Sequence, residues 1–408
     1  MRLTFIVRRD IIVLRTHSCR KETDMSNYYT LIENAQLVLE SGILWDAELL
    51  IRGERIVDLG KKGTLSIPAE AYRIDAHGAY VGPGFIDIHV HNGNGHSTCH
   101  DTKGASDYFL SHGETSILAT PSYSMAFDEF LSSIKEIKAA MPEAETVRGI
   151  YMEGPYTNPK YGANSYKNPW RHPIDPAEYK RLVDEAGELA LVWAIAPERE
   201  GILDFVEYAR RVNPSTVFAV GHSEALPDQI RALGSYGPTL QTHSMNATGR
   251  LPVGAGLRGY GPDEYCLKEP EVYCELICDS LGVHVNRDMQ QLLIHTKGIN
   301  RVVLISDCTT YHNPNPPEYA HVPDLNYDEK GGIAGSKITL DKACKNIMTH
   351  TNCGIAQAFI MASLNPARVL GMQNERGSIE RGKIADLVFV DDRFNVKNVM
   401  LGGRVCKL

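Results

Sequence analysis

Between residues 85 and 306 the chain keeps changing the spacing of its apolar positions. Runs of consecutive apolar and β-branched residues occupy 85–91, 115–120, 147–152, 189–195, 216–220, 238–242, 276–278 and 302–306. Each is separated from the next by a stretch long enough to hold a helix. Buried parallel strands read as continuous apolar runs, and the crossovers that join them cover the sheet, so the pattern predicts βα units in an α/β fold. Eight runs match the strand number of a closed (β/α)8 barrel of the TIM type. Periodicity alone fits an open parallel sheet equally well, and the polar residues at the ends of the runs help to choose.

The flanks have a different texture. Residues 29–32, 35–39, 47–51, 55–59 and 72–75 read as short strands punctuated by Gly42, Gly53, Gly60 and Gly78. The chain's end repeats this at 385–390 and 396–405, the latter containing Gly402-Gly403. Such segments build a small β-domain. The expected organisation is a β-sandwich from 25–80 plus 375–408, flanking a barrel over 81–374. Residues 1–24 break the pattern: the apolar stretch 3–7 is shorter than the ~7–15 residues of a signal-peptide core, and Arg8-Arg9-Asp10 follows it. That segment is expected to lie outside the fold, as an extended gene start or a disordered tail.

Six residues that suit metal and acid–base chemistry stand at the ends of these runs. They are His89 and His91 at the end of the first, Glu153 after the third, His222 after the fifth, His243 after the sixth and Asp307 after the eighth. His89 and His91 are two residues apart, so on an extended chain both imidazoles point to one face. A barrel gathers the C-terminal ends of its strands on one rim, where catalytic groups sit. Any one of these residues alone reads as an ordinary turn or loop residue. Six at the ends of predicted strands point instead to one site, with imidazole and carboxylate ligands for a divalent metal. His96 and His100, in the glycine- and asparagine-containing loop after the His-x-His, read as loop residues.

Composition narrows the partners. The formal charge is −8, without basic runs of the kind that bind nucleic acid. No apolar run approaches the ~20 residues of a membrane helix. Nine cysteines are scattered without a Cys-x-x-Cys pair, which suits reduced thiols and the cytoplasm.

The motifs carry a resemblance from about residue 30 to the C-terminus. They are Pro-Gly-Phe-Ile-Asp-Ile-His-Val-His at 83–91, Met-Glu-Gly-Pro-Tyr at 152–156, Gly-His-Ser at 221–223 and Thr-His-Ser-Met-Asn-Ala at 242–247. Leu-Ile-Ser-Asp at 304–307, Ile-Ala-Gly-Ser at 333–336, Asn-Pro-Ala-Arg at 365–368 and the glycine-punctuated stretch 377–387 complete the set. In these the sequence resembles the amidohydrolase superfamily, and within it the N-acetylglucosamine-6-phosphate deacetylases. The resemblance implies hydrolysis of the N-acetyl amide of an amino sugar, with N-acetylglucosamine 6-phosphate the expected substrate. It implies Glu153, His222 and His243 as ligands of one divalent ion, Zn2+, Fe2+ or Mn2+, and His89 and His91 with Glu153 as the holders of a second. Asp307 becomes the group that takes a proton from the attacking water and returns it to the leaving nitrogen. Ala163, Asn164, Asn246, Ala247, Arg250, His284, Ile333, Ala334 and Gly335 fall where the family contacts its substrate, and a homodimer or larger homo-oligomer is implied. The alternative within the superfamily is an amidohydrolase for another N-acyl or cyclic amide without phosphate. Glu153 after strand three, and the absence of a lysine in Ala196-Pro197-Glu198 after strand four, weigh against the cyclic amides. A barrel kept only as a scaffold would be expected to have lost ligands, and here all six rim groups are present.

The catalytic half of the family pattern is intact while the substrate half is altered. Gly162-Ala163-Asn164 stands where the deacetylases end a loop in Gly-Ala-His. The segment after Asn246-Ala247 is glycine-rich from 249 to 261 and carries Arg250 and Arg258 instead of the family's His-Arg-Glu-Pro-Gly. A guanidinium fork suits a phosphate, so either arginine is a candidate for that contact, Arg250 first.

Overall fold

The computed structural model describes residues 28–249, 259–311 and 313–406; the expectations for 1–24, Arg250 and Arg258 lie outside them. Eight parallel strands pair in chain order: β1 (Phe85–Val90), β2 (Glu114–Ala119), β3 (Val147–Glu153), β4 (Ala190–Ile195), β5 (Val217–Val220), β6 (Leu240–Gln241), β7 (Tyr273–Ile277) and β8 (Val302–Ile305). A helix follows each strand, beginning with Thr102–Ser111 and ending with Leu340–Thr351. β1, β2 and β8 are buried along their whole length, as strands covered on both faces must be.

The ring is completed between β8 and β1 by hydrogen bonds at the strand ends. The Ser306 amide donates to Asp87 Oδ2 at 3.2 Å, and the Asp307 amide donates to His89 O at 2.9 Å. A parallel bridge joins Val90 to Cys308. The seam of the barrel therefore runs through the rim residues.

The helices pack by apolar stripes. In Ile202–Val212 the buried residues are Ile202, Phe205, Val206 and Ala209, a spacing of three, one and three that gives one face of a helix. Phe205 reaches an aromatic cluster, with Tyr156 at 4.4 Å and Trp193 at 5.0 Å between ring centroids.

Strands from both chain ends form one further eight-stranded sheet. The runs 29–32 and 35–39 are a single strand, Tyr29–Leu39, with register shifts against its partner on both sides of Ala35. Its first half pairs with Tyr72–Asp75 and its second with Tyr80–Pro83. Leu387–Val390 then lies antiparallel to Tyr80–Pro83, and Val396–Leu401 and Arg404–Cys406 extend the sheet. Pro83 and Gly84 connect this sheet directly to β1. Among the described residues no helix is long and apolar enough to cross a membrane.

Candidate active site

Glu153, the last residue of β3, is 3% exposed and stands at the centre of four imidazoles. His222 Nε2 lies 2.8 Å and His243 Nε2 3.4 Å from its Oε1; His91 Nε2 is 3.2 Å from its Oε2, and His89 Nε2 is 3.7 Å from Oε1. Asp307 Oδ1 faces the same space, 3.3 Å from His91 Nε2 and 3.9 Å from His89 Nε2. All six residues singled out from the sequence thus meet at one point on the C-terminal rim.

The backbone bends sharply to bring them there. His222, His243 and Asp307 each follow a strand closely and each has a positive φ, of 44°, 25° and 45°. For residues with a Cβ such conformations cost about 1–3 kcal/mol and persist only where the surroundings impose them. Here hydrogen bonds to their backbone groups hold all three: the Asp307 amide on His89 O, the His243 amide on Glu275 Oε2 at 3.0 Å, and the Asn158 amide on His222 O at 2.9 Å. Gly162 is required for another reason. A Cβ there would lie 2.4 Å from Tyr123 Oη and 2.7 Å from His222 Nδ1, so only glycine lets the loop close over the ring.

Three of the imidazoles are held from outside through Nδ1. His91 Nδ1 donates to Thr120 O at 3.0 Å, His243 Nδ1 to Asn246 O at 3.2 Å, and His89 Nδ1 to Glu275 Oε2 at 3.2 Å. Each bond turns Nε2 toward Glu153, the arrangement metal-ligating histidines adopt. His89 Nε2 is buried without a hydrogen-bond partner among the described residues, and His222 Nε2 and His243 Nε2 face each other at 3.0 Å. Four imidazole nitrogens converging on one carboxylate fit a divalent cation. Two overlapping sets could each hold one: His89, His91 and Glu153, and Glu153, His222 and His243.

The electrostatics agree with a cation site. Burial alone would raise the Glu153 carboxyl, but hydrogen bonds from His222, His243 and His91 outweigh it and hold its pKa well below the usual carboxylate range. At His91 burial opposes the charged ring, yet Asp307 and Glu153 prevail and lift its pKa to about 10. At His243 burial is likewise overcome, chiefly by Glu153, and the pKa rises to about 9. His222 is lowered by burial. Two of the rings thus bind a proton tightly, and a divalent ion taking their place would release protons.

Above these groups opens a cavity of about 220 Å3. Ala163, Asn246, Ala247, Ile333, Ala334 and Gly335 line it. Asn164 follows Ala163 in a left-handed turn, with its amide donating to Asp328 Oδ2 at 2.9 Å. His284 stands behind the wall, with Nε2 donating to Gly335 O at 2.9 Å and Nδ1 3.1 Å from Asp279 Oδ2. His96 and His100 pair with Asp101 and Glu136 on the exposed side of their loop.

Several residues at the site escape the sequence reading, and three of them bear on its shape and chemistry. Tyr123 and Tyr311 line the cavity from the loops after β2 and β8, and no spacing rule places them there. Glu275 is the third. The seventh apolar run starts at Leu276 in the sequence, whereas β7 starts at Tyr273 and includes Glu275. A lone glutamate inside an otherwise apolar stretch is the available signal.

Comparison with known proteins agrees with this geometry. The model of the amidohydrolase family matches residues 80–406. The N-acetylglucosamine-6-phosphate deacetylase of Vibrio furnissii is 28% identical over 379 residues, 86% of this chain and 90% of that protein. The N-acetylgalactosamine-6-phosphate deacetylase of Escherichia coli O157:H7 is 29% identical over 400 residues, covering 91% and 97%. Among solved structures, the N-acetyl-D-glucosamine-6-phosphate deacetylase of Mycobacterium smegmatis, as a mutant in complex with N-acetyl-D-glucosamine-6-phosphate, superposes with a TM-score of 0.77 at 26% identity, over 93% of this chain and 99% of that one. The family match spans the barrel and the C-terminal strands of the flanking sheet, and the chain belongs to the amidohydrolase family.

Proposed function

We propose that this protein hydrolyses the N-acetyl amide of a hexosamine 6-phosphate, N-acetylglucosamine 6-phosphate first, to release acetate and the free amine. The observation that carries this reading is the meeting of four imidazole Nε2 atoms and Asp307 around Glu153, directly beneath a cavity walled by Ala163, Asn246, Ala247 and residues 333–335. Glu153, His222 and His243 would hold one divalent ion, and His89 and His91 with Glu153 a second. The mixed imidazole and carboxylate set suits Zn2+, Fe2+ or Mn2+. When bound, such an ion supplies Lewis-acid chemistry, acidifying water and polarising the acyl carbonyl.

The chain's own residues do the rest. Asp307 accepts the proton of the attacking water as its oxygen bonds to the acyl carbon. It then gives that proton to the amide nitrogen as the carbon–nitrogen bond breaks, so the amine leaves neutral. One carboxylate serves both steps because the proton gained first is the proton lost second. The Asp307 amide bond to His89 O fixes the carboxyl against the rim. His284 braces Gly335, and Asn164 holds Ala163 beside the cavity through its bond to Asp328. Arg250, with Arg258 as its alternative, supplies the charge for the phosphate.

A second substrate, N-acetylgalactosamine 6-phosphate, is favoured by the Escherichia coli relative, which is named for that epimer and is 29% identical. The same reading places the enzyme in the cytoplasm as a homodimer or larger homo-oligomer, with 81–374 as its barrel domain and 25–80 plus 375–408 as its flanking domain. The test is acetate release from both 6-phosphates, from unphosphorylated N-acetylglucosamine, and ring opening of a cyclic amide such as dihydroorotate, each with and without chelator. Turnover of a 6-phosphate that chelation abolishes is the expected result. Ring opening without acetate release would overturn the assignment.

A further inference from the structure

Glu275 lies in the middle of β7 and is fully buried. Its Oε2 accepts two hydrogen bonds, one from His89 Nδ1 at 3.2 Å and one from the His243 amide at 3.0 Å. Among the described residues its Oε1 has no hydrogen-bond partner. The two bonds reach both halves of the site: His89 belongs to the pair on β1, and His243 to the set that follows β5 and β6. A neutral amide would satisfy the same two donors, and burying a carboxylate with one oxygen unpaired is costly. The feature calls for something that a carboxylate supplies and an amide does not.

His89 indicates what that is. Its ring is fully buried and stacks on Tyr151, with 4.3 Å between centroids, while Tyr151 Oη is tied to Thr242 Oγ1 at 2.8 Å. The ring is therefore fixed in plane by Tyr151 and in rotation by Glu275. Its Nε2 is left buried, unpartnered and aimed at Glu153 and Asp307. A carboxylate behind the imidazole makes Nε2 a better electron donor, and it adds a negative charge within one ring's width of the site. At His91, by contrast, Nδ1 meets an uncharged partner, the carbonyl of Thr120. The member of the pair that most needs an external anchor is the one that has a charged partner.

We propose that Glu275 is a positioning residue that makes the His89, His91 and Glu153 set competent to hold a second divalent ion, so that the enzyme works as a two-metal hydrolase. This rests on the metal-hydrolase reading of the site and goes further, because it assigns occupancy of the second set to one residue outside the ligand shell. The ion at Glu153, His222 and His243 depends less on the carboxylate itself, since Glu275 hydrogen-bonds that set through the His243 backbone amide, a bond that a neutral side-chain amide also accepts.

The experiment counts ions rather than turnover. Wild type, Glu275→Gln and Glu275→Asp, purified and stripped, are titrated with Mn2+. Bound metal is measured by mass spectrometry, and spin coupling between the two ions by electron paramagnetic resonance. Wild type should bind two Mn2+ per chain and show a coupled spectrum. Glu275→Gln, which keeps shape and hydrogen bonds, should bind the first ion as before and the second about 10–100-fold more weakly, with loss of the coupled signal. Glu275→Asp, which keeps the carboxylate but shortens its reach, should fall between the two. Retention of both ions by Glu275→Gln within about threefold of wild type overturns the proposal. So does a single ion on saturated wild type, which decides the matter even if both variants fold poorly. Acetate release from the 6-phospho sugars is scored separately: turnover with one ion refutes the two-metal inference alone, whereas two ions without turnover refute the substrate reading alone.

Discussion

Replacing Asp307 with asparagine separates its chemistry from its structural part. Asp307 sits at φ 45°, a left-handed conformation that Asp and Asn adopt more readily than other residues with a Cβ. The variant keeps the amide that donates to His89 O, and it keeps an oxygen to face His91 Nε2 at 3.3 Å. What it loses is the ability to accept the proton of water and return it. A general acid–base group contributes roughly 10²–10⁴-fold. At 1.36 kcal/mol per tenfold this is about 2.7–5.4 kcal/mol of barrier, with the upper end favoured because one group serves both transfers. Asp307→Ala would be a poorer probe, since alanine in this conformation adds about 1–2 kcal/mol of backbone cost that could be mistaken for function. The assay is kcat for acetate release at saturating 6-phospho sugar, alongside metal content and thermal denaturation of the same preparation. A kcat within about threefold of wild type, with metal and stability unchanged, would remove Asp307 from the proton path. Loss of metal together with activity would refute the separation on which the argument depends and make Asp307 a ligand.

Five other variants test other parts of the site and fold. His222→Ala should strip the ion of the Glu153, His222 and His243 set, while His89→Ala should leave that ion and remove at most a second; metal analysis of both variants checks this, and unchanged content in both would mean the site is misassigned. Loss of the phosphate arginine should lower kcat/KM for the phosphorylated sugar about 10–100-fold and leave the unphosphorylated sugar nearly untouched, so Arg250→Ala and Arg258→Ala that treat both sugars alike would end the phosphate reading. Phe205→Ala, within the aromatic cluster and away from the rim, should cost about 3–5 kcal/mol in denaturant unfolding yet leave kcat per folded molecule unchanged.

The sequence is most informative where burial constrains it. Strands covered on both faces are rich in apolar and β-branched residues, so β1 and β2 stand out in the sequence, and a charged or imidazole residue at the end of such a run has few places to go except the rim. That is why His89, His91, Glu153, His222, His243 and Asp307 can be placed from the sequence. Glu275 escapes because it lies inside a strand rather than at its end: its charge makes the apolar run appear to begin at Leu276, three residues after β7 starts. The flanking sheet is legible as strands but not in its pairing, since one strand, Tyr29–Leu39, changes partner halfway along where its register shifts. Tyr123 and Tyr311 reach the cavity from loops, whose course depends on what they pack against rather than on any periodicity.

The pairing of Leu387–Val390 with Tyr80–Pro83 has a consequence for how the protein is made. From residue 83 to residue 387 is 387 − 83 = 304 residues, and at about 5–20 residues per second their synthesis takes about 15–60 seconds. Throughout that time one edge of Tyr80–Pro83, the strand that leads into β1, lacks its final neighbour on the ribosome. A bare strand edge invites pairing with other chains. The nascent protein should therefore be most prone to aggregation and most dependent on chaperones late in translation, after the barrel strands have emerged and before the last sheet strands arrive. Slowing elongation within the final twenty or so codons should lower the soluble yield more than an equal pause near β2.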